Sequence, residues 1–208
     1  MNKNMYHRYL KIPFEHIKPV CFSEQPSKMR GTNWHEEVIT QEHWDIRFVE
    51  WLNNYNLKPS NICEAFYNSP SGGGLPIHND TPDISNAVNI NFTWGPLTST
   101  TRWWKIKNES LIQLEKDNTE YHKEYLKGIP ADIPQYKFLH ADEKECDLVY
   151  EQVINKPSLM NVGQLHSTYN PHFSECRWTL SYHILNQKDG RHIQFDEALE
   201  IFKDVAYE

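Results

Sequence analysis

The chain has 208 residues, enough for one domain with a sizeable core and short for two. Hydrophobic residues make up 38% and charged residues 24%, which excludes a disordered chain; a formal net charge of −7 speaks against a nucleic-acid binder, which needs a basic face for phosphates. No stretch approaches the roughly 20 apolar residues of a membrane span, and MNKNMYHRYLKIPF holds no apolar run of signal length.

Residues 1–39 read as irregular, punctuated by Pro13, Pro19 and Pro26. Thr40 is placed to cap a helix running through QEHWDIRFVEWLNNYNL, where Trp44, Phe48, Trp51, Leu52 and Leu57 recur at helical spacing. Lys58-Pro59-Ser60 breaks the chain, and strands are expected beyond it. Residues 62–68 form the first, closed by the turn signal Ser69-Pro70-Ser71-Gly72-Gly73-Gly74. Residues 87–94 alternate cleanly, with Val88, Ile90, Phe92 and Trp94 on one face and Asn89, Asn91 and Thr93 on the other.

Residues 100–107 are another aromatic strand, and the polar residues 108–130 look like a helical insertion. Residues 148–154, 158–164 and 176–185 read as strands, with Asn170-Pro171 marking a turn. Residues 195–205 form a short amphipathic helix. Many short strands of even spacing predict a mainly β fold, a barrel or double-sheet jelly roll with flanking helices. One domain is expected, its core at about 60–186, flanked by 1–59 and by a C-terminal helix within 190–208. The four cysteines, Cys21, Cys63, Cys146 and Cys176, form no CxxC pair, so they are expected as reduced thiols in a cytoplasmic protein.

His-x-Asp followed at a distance by a second His is a pattern that can hold iron on one face. On an extended strand, residues i and i+2 project to the same side and can reach one ion. Such a two-His, one-carboxylate triad leaves coordination positions open, as non-haem Fe(II) oxygenases require. The chain offers three such pairs. His43 and Asp45 fall in the helical pattern, where i and i+2 point about 200° apart, and are expected on a solvated face. His140 and Asp142 lie beside a charged run, only 26 residues before His166 (166 − 140), a short path for several intervening strands.

His78 and Asp80 follow the glycine turn and precede the alternating strand. His166 comes 88 residues later (166 − 78), at the end of the apolar strand SLMNVGQ. Arg177 follows by eleven residues, and the intervening turn lets the two strands pair as a hairpin with both side chains facing one interior. In 177–183 the polar residues Arg177, Thr179, Ser181 and His183 alternate with Trp178, Leu180 and Tyr182. A buried Arg is costly unless it meets an anion, and a planar carboxylate is its natural partner.

His78-x-Asp80, distal His166, then Arg177 with Thr179 resembles the Fe(II)/2-oxoglutarate-dependent oxygenase superfamily, over about residues 62–186. The resemblance implies a cupin-like double-stranded β-helix (jelly roll) with Fe(II) on His78, Asp80 and His166. It implies that 2-oxoglutarate is converted to succinate and CO2, its far carboxylate held by Arg177 and Thr179. The chain also resembles the aspartyl/asparaginyl β-hydroxylase-like branch in size, but Asp80 supplies a carboxylate which that branch often lacks.

Asn91, with Asn89, faces the presumed interior and either contacts the cosubstrate or satisfies buried polar groups. Tyr67 and Trp103 are either pocket walls or core. His172 and His122 read as exposed, and His183 as too far along its strand to share the ion. A small molecule or a peptidyl side chain would be the substrate. Two alternatives stay open: a cupin-type metal enzyme that does not use 2-oxoglutarate, and a non-catalytic jelly-roll binding module.

Overall fold

A segment that alternates apolar and polar residues needs two different environments, one on each face. The computed structural model supplies them with two antiparallel sheets; it describes residues 5–19, 22, 25–27, 29, 31–80, 87–108, 113–116 and 137–208. The strands, in chain order, are β1 (His7–Leu10), β2 (Trp34–Val38), β3 (Leu57–Asn68), β4 (Ile77–Asn79), β5 (Val88–Trp94), β6 (Thr100–Ile106) and β7 (Gln113–Lys116). They continue with β8 (Lys137–Ala141), β9 (Cys146–Gln152), β10 (Ser158–Asn161), β11 (His166–Tyr169), β12 (Arg177–Asn186) and β13 (Ala206–Tyr207). Helix α1 (Ile46–Asn53) precedes β3, and α2 (Phe195–Ile201) precedes β13.

Seven strands make one sheet in the order β13-β1-β10-β5-β12-β3-β2, and six make the other in the order β7-β8-β4-β11-β6-β9. Consecutive strands from β3 to β6 fall in alternate sheets, and so do those from β9 to β12. The chain is therefore mainly β, as its pattern predicts.

The outer face of the seven-stranded sheet carries the main core. Trp178, Leu180 and Tyr182 of β12 stand opposite Trp94, Phe92 and Ile90 of β5. These side chains pack under Phe48, Trp51 and Leu52 of α1, under Phe195 and Ala198 of α2, and under Phe202 just past its end. Phe22 stacks on Trp178 with centroids 4.3 Å apart, and Phe48 meets Tyr182 at 4.6 Å. Burying each such side chain contributes about 1.5–3 kcal/mol. The inner face carries Asn89, Asn91 and Thr93 on β5, and Thr179, Ser181 and His183 on β12, all in register.

Several local expectations are corrected. Residues 1–39 contain two strands, β1 and β2, both with paired backbones. The helix does not start at Thr40. A 3-10 turn at Gln41–His43 comes first, with the Thr40 hydroxyl turned to Glu42 and His43 rather than capping. Asp45 is the true cap: it accepts from the Arg47 N–H and side chain and from the Ile17 N–H. Burial would raise its carboxyl, but those bonds, above all the one from Arg47, hold it at about 2. Asp45 is thus buried, not on a solvated face.

Pro59 does not break the chain. It lies inside β3 opposite Ile184, where β2 does not reach and the missing N–H costs no ladder bond. In the supposed helical insertion, residues 113–116 form a strand, β7; most of the rest lies outside the described residues. The C-terminal helix ends at Ile201, and the chain returns as β13 beside β1. Among the described residues, no helix is long and apolar enough to cross a membrane.

His16 sits in this core, its ring 4.0 Å from Phe92 and its Nε2 3.2 Å from the Tyr182 hydroxyl. Burial lowers its pKa to about 4 from 6.5. Between those values the unfolded chain takes up a proton that the folded one refuses, so stability falls as pH drops through that window. The difference is at most about 3 kcal/mol. Denaturant unfolding at pH 7 and pH 4.5 should show a smaller acid loss in His16→Gln than in the parent; equal losses would show that this ring does not stay neutral.

Candidate metal centre

The centre begins with a cross-strand pair. β4 and β11 run antiparallel in the six-stranded sheet, with His78 directly opposite His166. Direct partners share a face with their Cβ atoms about 4.5–5.5 Å apart, and the two imidazole centroids lie 4.5 Å apart. Asp80 follows just past the end of β4, where its N–H donates to the Val162 carbonyl at 3.0 Å. Asp80 Oδ1 lies 3.2 Å from His78 Nε2 and 3.6 Å from His166 Nε2. The three ligand atoms lie within 4.8 Å of one another, and all three residues are buried.

The glycine turn allows this approach. A Cβ on Gly74 would collide with the Thr168 carbonyl of β11, and the next N–H, that of Leu75, donates to the Thr168 hydroxyl at 3.0 Å. Gly72 adopts φ +98°, a left-handed conformation suited to glycine. A side chain at Gly74 would push β4 away from β11 and separate the histidines.

The backbone orients both rings. His78 Nδ1 donates to the Pro76 carbonyl at 2.7 Å, and His166 Nδ1 to the Gln164 carbonyl at 2.9 Å. A carbonyl only accepts, so both Nδ1 atoms carry protons and both Nε2 atoms face the shared point. Such bonds fix the tautomer of metal-ligating histidines. Burial works against charge on all three groups. It is overcome at His78, whose pKa is raised by its bond to Asp80, and at Asp80, which His166 and His78 hold below the usual carboxylate range. Burial and the neighbouring His78 charge lower His166 to about 4.

Arg177 opens β12 and is 2% exposed. Its Nη1 donates to Asn68 Oδ1 at 3.1 Å and its Nη2 to the Thr101 hydroxyl at 3.2 Å, while Nε has no partner. Burial alone lowers its pKa to about 10, which leaves it charged. Among the described residues no carboxylate pairs with it. One cavity is lined by His78, Asp80 and His166, and also by Arg177, Thr179 and Asn91. The expected hairpin is corrected: β11 pairs with β4 and β6, and β12 with β3 and β5, so His166 and Arg177 face each other from opposite sheets. Nor does His166 end an apolar strand. β10 stops at Asn161, the chain turns, and His166 opens β11 in the other sheet.

Thr179 bonds to Thr93 at 3.3 Å, and Asn91 accepts from the Ser181 hydroxyl at 2.8 Å. Asn89 Nδ2 reaches Asp80 Oδ2 at 3.3 Å. Tyr67 and Trp103 are core residues: Tyr67 packs on Trp178, and Trp103 joins Tyr6, His7 and Tyr150. His183 pairs with Glu64 at 3.0 Å. His172 is half-buried rather than exposed, its Nδ1 accepting from the Glu175 N–H. His122 lies outside the described residues. The backbone of His140 stands beside His78 on its other flank, a neighbourhood that spacing did not reveal, and Asp142 pairs with Lys144 in solvent. Asn68 and Thr101 escaped sequence reasoning. Asn68 is the register partner of Arg177, so the signal exists only once strands are paired.

No protein-family model matches the chain, and no curated protein sequence matches it. Among solved structures it is similar to peruvianin-I, a cysteine peptidase from Thevetia peruviana latex, at 12% identity over 83% of this chain and 73% of that one, with a TM-score of 0.35. It is also similar to oxalate oxidase in complex with the substrate analogue glycolate, at 11% identity over 90% of this chain and 77% of that one, with a TM-score of 0.33. Likenesses so distant say nothing of what this chain does.

Removing one donor from a three-donor site should cost more than the 10- to 100-fold typical of supporting residues. Asp80→Ala and His166→Ala should each lower Mn(II) affinity by more than about 100-fold in anaerobic equilibrium dialysis, while exposed His43→Ala leaves it unchanged. Parent-like affinity in both site variants would remove the centre from these residues.

Proposed function

We propose that this chain is a single-domain Fe(II)- and 2-oxoglutarate-dependent oxygenase built on a double-stranded β-helix. The alternation of strands between two facing sheets supports the barrel. The observation that carries the functional reading is Arg177: a buried, charged guanidinium with an unpartnered Nε, in the same cavity as the two imidazoles and one carboxylate. A buried cation with no anion is costly, and a ligand carboxylate relieves it. A 2-oxo diacid has one end for a metal and one for an arginine. Two imidazole nitrogens with one carboxylate oxygen suit Fe(II) and leave coordination positions open.

Iron(II) with a bound 2-oxo acid supplies the reductive activation of dioxygen, with succinate and CO2 as coproducts. The chain does the rest. His78, Asp80 and His166 would hold the metal, with the two imidazole rings fixed by the Pro76 and Gln164 carbonyls. Arg177 clamps the far carboxylate, with Thr179 and Asn91 beside it. Phe66, Leu75, Met160 and Val162 give the cavity apolar walls that limit water. The substrate would be a small molecule or an amino-acid side chain. The acidic chain offers no reason to expect nucleic acid, and the unpaired thiols of Cys63, Cys146 and Cys176 fit the reducing cytoplasm.

One observation favours a second reading. The cavity is tight, with about 30 Å³ open to the centre of a water molecule. A five-carbon diacid requires Phe66, Leu75 or Met160 to give way, whereas a shorter acid needs less. In that reading the chain is a cupin-type metal enzyme, and Arg177 binds the substrate's own carboxylate.

Succinate release from 2-oxoglutarate by the Fe(II)-loaded protein in air separates the two. The oxygenase reading expects succinate even in slow, substrate-free turnover. It expects Arg177→Ala to raise the KM for 2-oxoglutarate by about 100-fold, from the loss of charge-assisted bonds of roughly 1.5–3 kcal/mol each, while metal is retained. Metal binding without any succinate release selects the second reading, and a protein that binds no metal is a non-catalytic module.

A further inference from the structure

The inner wall carries a chain of hydrogen bonds with one direction. Asn89 Nδ2 donates to Asp80 Oδ2 at 3.3 Å and to Ser181 Oγ at 3.0 Å. The Ser181 hydroxyl, already an acceptor, donates its proton to Asn91 Oδ1 at 2.8 Å. Each step dictates the next. An ionised carboxylate accepts only, so Asn89 must turn its NH2 group toward Asp80. That NH2 group also fills a lone pair of Ser181, whose own proton then needs an acceptor. Asn91 presents its oxygen, and its NH2 group is left pointing away from Ser181. The opposite amide orientation at Asn91 would leave the Ser181 proton without an acceptor among the described residues. Asn89 and Ser181 are almost fully buried, so water does not compete along the wall. Asn91 is half-buried and lines the cavity with Ser181, Thr179 and Arg177.

We propose that Asn89 and Ser181 are positioning residues that use the charge of Asp80 to aim the Asn91 NH2 group into the cavity as a fixed donor for a ligand oxygen. This rests on the metal-and-diacid reading above and adds specificity to it. With the Arg177 guanidinium at one end and the Asn91 NH2 group along the wall, the cavity offers donors, so it takes acids and oxo acids and rejects amides and amines of the same shape. The same chain engages Asp80 Oδ2 and leaves Oδ1, the oxygen nearest both imidazoles, for the metal.

Ser181→Ala cuts the chain and leaves the Asn89–Asp80 bond in place. Calorimetric titration of Mn(II) should then give affinity within about twofold of the parent, while 2-oxoglutarate binds the Mn(II)-loaded protein about tenfold more weakly. Asn91→Ala should show the same weakening, and the double variant should be no weaker than either single one, because both remove one donor. The amide analogue of the diacid should gain relative to 2-oxoglutarate in Ser181→Ala, where the Asn91 amide is free to turn over. Thermal melting of each variant confirms folding, and Asn91→Ala tests the same donor should Ser181→Ala not fold. Diacid binding unchanged in Ser181→Ala, or losses that multiply in the double variant, overturns the positioning chain while the metal reading stands. A parent protein that binds Mn(II) but not 2-oxoglutarate, or binds neither, overturns the reading beneath it.

Discussion

The constraint on which the structure depends is the direct opposition of His78 and His166 across β4 and β11. Once two imidazoles share a face at that separation, with their Nδ1 protons committed to backbone carbonyls, both Nε2 atoms must look at the same point. Asp80 adds a negative charge to that point, where water hardly reaches. Something positive has to complete the group, whether a proton or a metal ion. The glycine turn, the short β4 and the Asp80 to Val162 hydrogen bond keep the two strands close enough for this to hold.

The two sheets divide the energetic work. The outer face of the seven-stranded sheet buries aromatic side chains beneath two helices, and this apolar burial offsets the cost of a polar interior. On the inner face nearly every polar group answers another: Asn89 with Asp80, Ser181 with Asn91, Thr93 with Thr179, His183 with Glu64. Against that background the unpartnered Arg177 Nε stands out. Among the described residues no carboxylate answers this buried cation, and that is the ground for proposing a ligand carboxylate there.

The parts of this arrangement legible in the sequence are those set by short periodicities. Alternation in 88–94 and 177–183 assigns each residue to its face, and the structure keeps that assignment. The spacing of His78, Asp80 and His166 points to a cluster, and the three come together. What local pattern could not show was pairing. β1 and β2 are short strands whose order comes from neighbours far along the chain, so residues 1–39 looked irregular. The hairpin between His166 and Arg177 was a natural reading of eleven residues with a turn, yet alternation between sheets sends the two strands to opposite walls. Asp45 displaced Thr40 as the helix cap because it alone also bonds Arg47 and Ile17. Asn68 and Thr101 became visible only when strand register brought them beside Arg177.

The central claim is that three side chains distant in sequence converge on one divalent cation. Anomalous diffraction from a crystal soaked anaerobically in Mn(II) tests it most directly. The account predicts a single strong peak within bonding distance of His78 Nε2, Asp80 Oδ1 and His166 Nε2, on the side facing the Arg177 guanidinium. A peak bound by other residues, or no peak between these three at saturating metal, would contradict it.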